Sequence, residues 1–355
     1  MLKKILIGIL VVLLLIVLNV GIFVGWLSYK EYKPEPVSPA TTSALGEYKE
    51  LNPEHIKLVS WNIGYGGLGK EASFVLDGGK GAGKPETKDI SLGYLEGVRK
   101  TMADYKADIY MLQEVDKNSS RSYRTDQIEA LQNGLNSASA AFALNYSCPF
   151  VPFPIPPIGE VNAGQLTLSD FKLNAATRIS LPVPFKWPMR VANLKRCLLE
   201  TRFPIPGKDA ELVVLNLHLE AYDSGEGKIA QTKMLMEILT DELKKGNYVI
   251  AGGDFNQTFP GATKTFPIID PTLWVPGFLQ ESDLPEGFRF VFDDKNPSCR
   301  LLNAPYDVAK KDSTQFYIID GFIVSSNIEV LSVKTDNLEF VHSDHNPVLL
   351  EIKLK

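Results

Sequence analysis

The chain has 355 residues, 45% of them hydrophobic and 22% charged, an ordinary globular balance with enough apolar material for a core. Its formal net charge is -5 and its pI about 5.6. That balance argues against a protein that grips nucleic acid through a broad basic surface, but leaves room for a small phosphate-binding cleft. Cys148, Cys197 and Cys299 lie far apart, without CxxC or Cys/His spacing. A structural zinc site is therefore not expected, and the odd count leaves at least one free thiol.

Along the chain, the first element follows Lys3 and Lys4. An apolar run extends from Ile5 to Leu27, broken only by Asn19 and glycines. At about 1.5 Å per residue it can cross a hydrocarbon core of about 30 Å. Residues 1–28 are read as a membrane anchor, with 5–27 inside the bilayer. A cleaved signal peptide is the competing reading. The length of the run favours the anchor, as does the segment Trp26-Leu27-Ser28-Tyr29-Lys30, which offers no A-x-A-like site. Lys3 and Lys4 on one side, against Lys30 and Lys33 on the other, slightly favour a cytoplasmic N-terminus. The expected location is a single pass through the cell membrane with the remaining chain outside. Residues 29–54, containing Lys33-Pro34-Glu35-Pro36-Val37-Ser38-Pro39, read as a spacer. Residues 55–355 read as the folded domain, expected as a monomer.

Within the domain, strands are expected at 56–61, 107–112, 211–216, 248–251, 316–324, 328–334 and 348–354. Leu92, Leu95, Val98 and Met102 recur at helical spacing and predict a helix over 89–106. Further helices are predicted near 125–136 and over 228–245, the last ending before Gly246. Many strands with few long helices imply an α/β domain of packed sheets with helices outside.

The decisive pattern is where polar residues fall. Buried-looking strands end in Trp61-Asn62, in Gln113-Glu114, in Asn216-Leu217-His218 and in Gly253-Asp254-Phe255-Asn256. The strand over 316–324 carries Asp320, and Ser343-Asp344-His345-Asn346-Pro347 precedes the last strand. Side chains held at strand ends by a rigid scaffold are where chemistry tends to sit. The residue types suit a hard divalent cation, which takes carboxylate oxygens plus water and substrate phosphate; Glu114 with Asn62 and Asp344 can supply such a site. Of the four histidines, His218, His342 and His345 lie in or beside these clusters, suited to proton transfer. Asp320 can fix the tautomer of His345. Taken singly, Asn62 could be a cap, Glu114 a surface acid and Asp254-x-Asn256 a turn.

As an ordered set, these residues resemble the endonuclease/exonuclease/phosphatase superfamily, which includes DNase I-like and exonuclease III-like nucleases, inositol polyphosphate 5-phosphatases and neutral sphingomyelinases. The matching segments are Ser60-Trp61-Asn62-Ile63, Leu112-Gln113-Glu114-Val115, Asn216-Leu217-His218-Leu219, Gly253-Asp254-Phe255-Asn256, Ile319-Asp320-Gly321-Phe322 and Ser343-Asp344-His345-Asn346-Pro347. The resemblance covers about Ile56 to Ile352 and implies a four-layer sandwich, two β-sheets face to face with helices outside. It implies a hydrolase that cleaves phosphoester bonds with Mg²⁺, or Mn²⁺, held by Asn62, Glu114 and Asp344. In the roles it implies, Asp254 orients or deprotonates the attacking water, Asn256 fixes the phosphate and His218 contacts it. His345, backed by Asp320, stabilises the phosphate charge or assists attack. Asn216, Asn162 and Arg178 would add phosphate contacts. Nucleic acid, phospholipid headgroups and sugar or inositol phosphates all stay open as substrates, as does a phosphomonoesterase activity. A binding module that keeps the fold without catalysis is the alternative of another class; the completeness of the set argues against it.

Other features carry less. Gly78-Gly79-Lys80-Gly81-Ala82-Gly83-Lys84-Pro85 fits a nucleotide-binding P-loop until Pro85 stands where Ser or Thr would bind Mg²⁺. It reads instead as a flexible rim loop. The stretch Pro149-Phe150-Val151-Pro152-Phe153-Pro154-Ile155-Pro156-Pro157 reads as a rigid packed loop or, more sharply, as a lipid- or substrate-facing lip. His55 reads as structural.

Overall fold

The computed structural model describes residues 1–355. The apolar run forms α1 (Leu2–Tyr29), long and apolar enough to cross a membrane by length and composition. Two short strands follow, β1 (Val37–Pro39) and β2 (Thr41–Ala44). Next come β3 (Ile56–Asn62), α2 (Lys88–Tyr105), β4 (Ile109–Asp116) and α3 (Gln127–Leu135). A long hairpin, β5 (Ser139–Val151) and β6 (Gly159–Ser169), precedes β7 (Ala175–Ser180), β8 (Cys197–Pro204) and β9 (Glu211–His218). After α4 (Glu226–Lys244) come β10 (Tyr248–Asp254) and the short strands β11 (Gln257–Thr258) and β12 (Gly277–Phe278). The chain closes with β13 (Phe288–Val291), β14 (Cys299–Arg300), β15 (Phe316–Tyr317), β16 (Asp320–Ser325), β17 (Ile328–Thr335) and β18 (Val348–Leu354).

The strands form two seven-stranded mixed sheets, ordered β1-β7-β8-β9-β10-β16-β13 and β17-β18-β3-β4-β6-β5-β2. Alternation along each strand sends one set of side chains into the seam between the sheets and the other set outward. Ile56, Leu58, Ile109 and Met111 of the second sheet meet Leu212, Val214, Ile250, Phe322 and Val324 of the first in one core. On the outer faces, Val59, Trp61 and Tyr110 pack with Leu95, Val98 and Met102 of α2 and Leu131 of α3. Leu215, Leu217, Val249 and Ala251 pack with Leu235, Met236 and Leu239 of α4. The layers are thus helix, sheet, sheet, helix, the expected four-layer α/β sandwich.

Local chemistry explains the helix ends. The Thr87 hydroxyl accepts from the Ile90 N–H to start α2, and Asp126 accepts from Ile128 and Glu129 to start α3. Asp223 takes the first N–H groups of α4 and also pairs with Lys228 Nζ at 3.1 Å.

The structure departs from the sequence reading in three places. Residues 29–54 are not a free spacer: Val37–Pro39 pairs with β7 on the edge of one sheet, and Thr41–Ala44 pairs with β5 on the edge of the other. Exposed strand edges accept any extended partner, and Val, Thr and Ser suit that geometry. The long β5–β6 hairpin and the β7–β8 pair escaped sequence reading, because Ala140, Ala141, Ala143 and Ala163 carry no hydrophobic alternation. The proline-rich stretch begins inside β5, and Pro152 to Pro157 make the connection of this hairpin. The glycine-rich loop, expected to be flexible, is tied down by a bridge between Phe74 and Ala82 and by the Tyr65 hydroxyl donating to the Gly83 carbonyl. Lys84 lies over the Tyr123 ring. No helix starts at the end of the loop, since α2 begins at Lys88.

The two sheets are also joined by a buried amide pair. Gln113 Nε2 donates to Asn216 Oδ1 at 2.8 Å, and Asn216 Nδ2 donates to the carbonyls of Leu112 and Leu166, both at 3.1 Å. Replacing Asn216 with Ala should leave these partners unpaired in the seam and cost about 2–4 kcal/mol. A urea unfolding series on the detergent-solubilised chain checks this; a loss below about 0.5 kcal/mol would show that the amide pair is not a clamp.

Candidate active site

The seam changes character at one end. On β9, Leu212 and Val214 face the core; Asn216 and His218 follow at the same two-residue spacing. On β10, Tyr248 and Ile250 are followed by Asp254, and on β3, Ile56 and Leu58 by Ser60 and Asn62. Register completes the alignment. Asp254 lies directly opposite His218 of the parallel neighbour β9 and opposite Asp320 of the antiparallel neighbour β16. On the other sheet, Asn62 lies opposite Gln113. A cavity of about 560 Å³ opens here, lined among others by Glu114, His218, Asp254, Asn256, Asp344 and His345.

Backbone irregularities aim these side chains. The β4–β6 register shifts between Leu112 and Val115, and Glu114 sits inside that bulge at φ 55°. A bulge re-aims a side chain that regular pleating would point elsewhere. Before Asp254, Gly253 has φ 144°, and a Cβ there would lie 1.9 Å from the Leu217 carbonyl oxygen, so only glycine fits. Asn256 at φ 49° turns back so that its N–H donates to Asp254 Oδ1 at 2.8 Å.

Hydrogen bonds hold the loop before β18 against both sheets. Trp61 Nε1 donates to the His345 carbonyl at 2.8 Å, and Ser343 Oγ donates to the Asn62 carbonyl at 2.7 Å. His345 Nδ1 lies 2.8 Å from Asp320 Oδ2, which also accepts from Ser298 Oγ at 2.8 Å. His345 Nε2 is left facing Asp254 Oδ2 at 3.7 Å, while His218 Nε2 approaches the same oxygen at 3.4 Å. Asn62 Nδ2 donates to Asp254 Oδ2 at 3.1 Å and reaches Glu114 Oε1 at 3.4 Å.

Electrostatics divides the group into opposite protonation states. Burial pushes the Asp254 carboxyl up to about 7; His345 opposes that shift and Asp320 adds to it. Burial would lower His345, but the Asp320, Cys299 and Asp254 side chains outweigh it and hold the imidazole well above its ordinary value. Burial, with Arg196 and His345 adding, holds His218 well below its ordinary value. The site thus contains a carboxyl poised near neutrality, one imidazolium and one neutral imidazole, a set suited to moving a proton.

Two arrangements of oxygen and nitrogen donors could meet a cation. Asp254, Asp320 and His345 offer ligand atoms within 4.8 Å of one another. There, however, His345 Nδ1 is already engaged by Asp320, and that hydrogen bond orients the imidazole. The better fit is Glu114 with Asp344. Burial pushes Asp344 up to about 7, with His345 opposing and the Glu114 charge adding to the rise. Glu114 accepts only the long Asn62 contact, and Asp344 has only the Ser343 hydroxyl at 3.3 Å, whose one hydrogen is shared with the closer Asn62 carbonyl. Under-bonded carboxylates that repel each other at a cleft suit a hard divalent cation.

The sequence-derived candidates divide as follows. Asn62, Glu114, His218, Asp254, Asn256, Asp320, Asp344 and His345 converge at this end of the seam. Asn216 does not reach the cleft: it is fully buried, and its amide is spent on Gln113, Leu112 and Leu166. Arg178 does not line the cavity either: its guanidinium is buried and donates to Leu144 O, Ser180 Oγ and Lys195 O. Asn162 is engaged with Glu160 and Ser147, within the β5–β6 hairpin. His342 packs beside Gly97 of α2, and His55 pairs with Glu351 at 3.1 Å. The cationic residues of the cavity escaped the sequence reading: Arg121, whose guanidinium sits 3.6 Å from the Tyr65 ring centroid and pairs with Asp116; Arg196, which pairs with Glu220 and donates to the His218 carbonyl; and Arg300, which donates to the carbonyls of Gly69 and Ala72. None of the three lies in one of the strand-end clusters that singled out the others. Ser298, which anchors Asp320, was equally silent.

A cation seated at Glu114 and Asp344 would relieve their repulsion. Adding Mg²⁺ or Mn²⁺ to the chelated chain should therefore raise its Tm, by the equivalent of about 2.7 kcal/mol at a hundredfold excess over Kd. Glu114→Gln should abolish most of that shift. Thermal unfolding followed by intrinsic fluorescence checks it, and an equal shift in both chains would exclude this pair as the cation site.

Residues 59–345 match the model of the Endonuclease/Exonuclease/phosphatase family. No curated protein matches the chain in sequence. Among solved structures, it resembles an endonuclease/exonuclease/phosphatase from Beutenbergia cavernae, with TM-score 0.57 and 17% identity over 85% of this chain and 72% of that one. It also resembles the human Nocturnin catalytic domain, with TM-score 0.51 and 16% identity over 90% and 99% of the two chains. A functionally unknown conserved protein from Enterococcus faecalis gives TM-score 0.51 and 17% identity over 84% and 100%. At these identities the structural likeness speaks for the fold, in agreement with the two mixed sheets flanked by helices. The family match spans most of the sequence, from the strand that carries Asn62 to His345 itself, and on that match the chain belongs to the Endonuclease/Exonuclease/phosphatase family.

Proposed function

We propose that this protein is a divalent-metal-dependent phosphoesterase, acting on phosphodiesters and held to a membrane as a monomer by residues 5–27. The observation that carries the reading is the Asp320–His345–Asp254 arrangement. One imidazole is oriented at Nδ1 by a buried carboxylate, and its Nε2 is directed at a second carboxyl whose pKa burial brings to about 7.

In this mechanism, a water oxygen forms a bond to phosphorus while the ester P–O bond on the opposite side breaks. Ionised Asp254 takes the proton of the attacking water, steered by Asn62 and the Asn256 N–H. Cationic His345 donates from Nε2 to a phosphate oxygen and stabilises the charge that builds there. Neutral His218 faces the same space, and Arg121 and Arg196 add positive potential to the cleft. Glu114 and Asp344 would hold a divalent cation, which would supply charge neutralisation to the phosphoester. The leaving alkoxide takes a proton from solvent. Asn256 keeps an amide hydrogen beyond its bond to the Leu219 carbonyl, free to meet phosphate.

The reading is tested by assaying the detergent-solubilised chain on bis(4-nitrophenyl) phosphate and 4-nitrophenyl phosphate, with Mg²⁺, Mn²⁺ or chelator. Diester turnover should require metal and exceed monoester turnover. Asp254→Asn should lower kcat by about 1,000-fold or more and His345→Ala by about 100-fold or more. Full activity in chelator, or an Asp254→Asn chain within about twofold of the parent, would overturn the mechanism. Asp320→Asn should also lower kcat by on the order of 100-fold or more, with KM little changed, because the imidazole loses its tautomer and its charge partner.

A further inference from the structure

The cavity has two chemically different ends. One is the polar group of Glu114, Asp254, Asp344 and His345. The other is lined by Phe23, Leu27, Val151, Phe153, Ile158 and Met189. Phe23 and Leu27 belong to α1, so the last turns of the candidate membrane helix form a wall of the space that holds the reacting groups.

That helix end is fixed on the domain. Leu27 is buried among Tyr146, Cys148, Val151, Val161 and Val191, and the Phe23 ring meets Phe150 edge-on at 6.0 Å. Polar contacts fasten the adjoining residues. Trp187 Nε1 donates to Ser28 Oγ at 3.0 Å, and Glu31 pairs with Arg190 and Lys195, each at 3.2 Å. Where the helix leaves the bilayer, the mouth of the cavity must therefore also sit. The flanking loops expose apolar groups: Ile155 is 89% exposed, Met189 66%, Trp187 60% and Phe153 51%. Aromatic and aliphatic side chains clustered beside a membrane helix end are suited to the headgroup region, where burying them is favourable.

We propose that this cavity receives a phosphoester carried on a membrane lipid, which enters from the bilayer beside α1 and the 152–158 and 186–192 loops. The proposal rests on the phosphoesterase reading above. The apolar part of the lipid lies along the Phe23–Leu27 wall, and its phosphate reaches Asp254 and His345. The size and apolar lining suit a small amphiphile. A duplex nucleic acid would instead need an open, cationic groove, which a net charge of -5 and an apolar flank do not supply.

The test uses the full chain reconstituted into vesicles of equimolar phosphatidylcholine, phosphatidylglycerol and sphingomyelin, alongside bis(4-nitrophenyl) phosphate, plasmid DNA and inositol phosphates. Release of a headgroup or its phosphate from a vesicle lipid is expected. Ile155→Ser/Met189→Ser should lower the ratio of lipid to soluble-diester turnover by about 10-fold. A second arm needs no turnover. In Asp254→Asn, a phospholipid with a photoreactive acyl chain should label residues 150–158 and 186–192. Soluble diesters cleaved while vesicle lipids are spared, an unchanged ratio in the variant, or labelling confined to residues 2–22 would each sink the lipid proposal and leave the phosphoesterase reading standing. No turnover of any phosphoester with either metal would sink that reading, and this one with it.

Discussion

The register between β9, β10 and β16 is the constraint from which the rest of the site follows. Side chains on a strand alternate strictly, so a shift of one residue would send His218, Asp254 and Asp320 to the outer face and Leu217, Gly253 and Gly321 into the seam. The apolar seam resists such a slip, because Leu212, Val214, Ile250, Phe322 and Val324 would all be turned out of it. Gln113 and Asn216 fix the second sheet against the first through a hydrogen bond that has a partner in only one alignment. Core packing and site geometry are therefore one specification: the residues that stabilise the seam also set the distances between His218, Asp254, Asp320 and His345.

The electrostatics depends on the same burial. Ionised carboxylates taken from water are costly unless paired, and the structure crowds Asp254, Asp320 and Asp344 around one imidazole. The unequal outcome is useful. His345 is held cationic by Asp320, while burial brings Asp254 and Asp344 to about 7, where they can change protonation state. His218 stays neutral although Asp254 Oδ2 lies 3.4 Å from its Nε2, because burial and the nearby Arg196 and His345 disfavour a second imidazolium. Similar residue types so acquire different protonation states from their surroundings alone. The strained backbone at Glu114 and Asn256 lies at the same place, as expected where geometry is held for function rather than for local stability.

The segment before the domain has a larger structural part than its composition implies. Residues 37–44 close an edge on each sheet, and Glu31 is buried against Arg190 and Lys195. Together with Leu27 and Phe23 they make the junction between α1 and the domain a packed interface instead of a tether. A rigid junction relates the direction of the helix to the mouth of the cavity, which a flexible linker would not do.

Much of the site was legible in the sequence because chemistry and periodicity conflict there. A strand whose inward positions are apolar and then become Asn, Asp or His announces that its end is not core, and Asn62, Glu114, His218, Asp254, Asp320, Asp344 and His345 were all found on that signal. The helices over 88–105 and 226–244 were visible for the ordinary reason that their apolar spacing is local. The same signal misled at Asn216, which shares the inward face with His218 but lies two residues deeper, where the other sheet covers it. Arg178 was carried over from the family resemblance, and no sequence shows that three acceptors, from 144, 180 and 195, surround it. Arg121, Arg196 and Ser298 gave no local signal, and the alanine-rich hairpin over 139–169 had no alternation to read. By itself, then, the sequence determined the apolar run of the first helix, the class of fold and the residue types of the polar cluster, since these depend on composition and on spacing along the chain. Only the tertiary structure decided which amides clamp the seam, which arginines face the cleft, and that the end of the first helix forms one of its walls, because each depends on contacts between residues far apart in the chain.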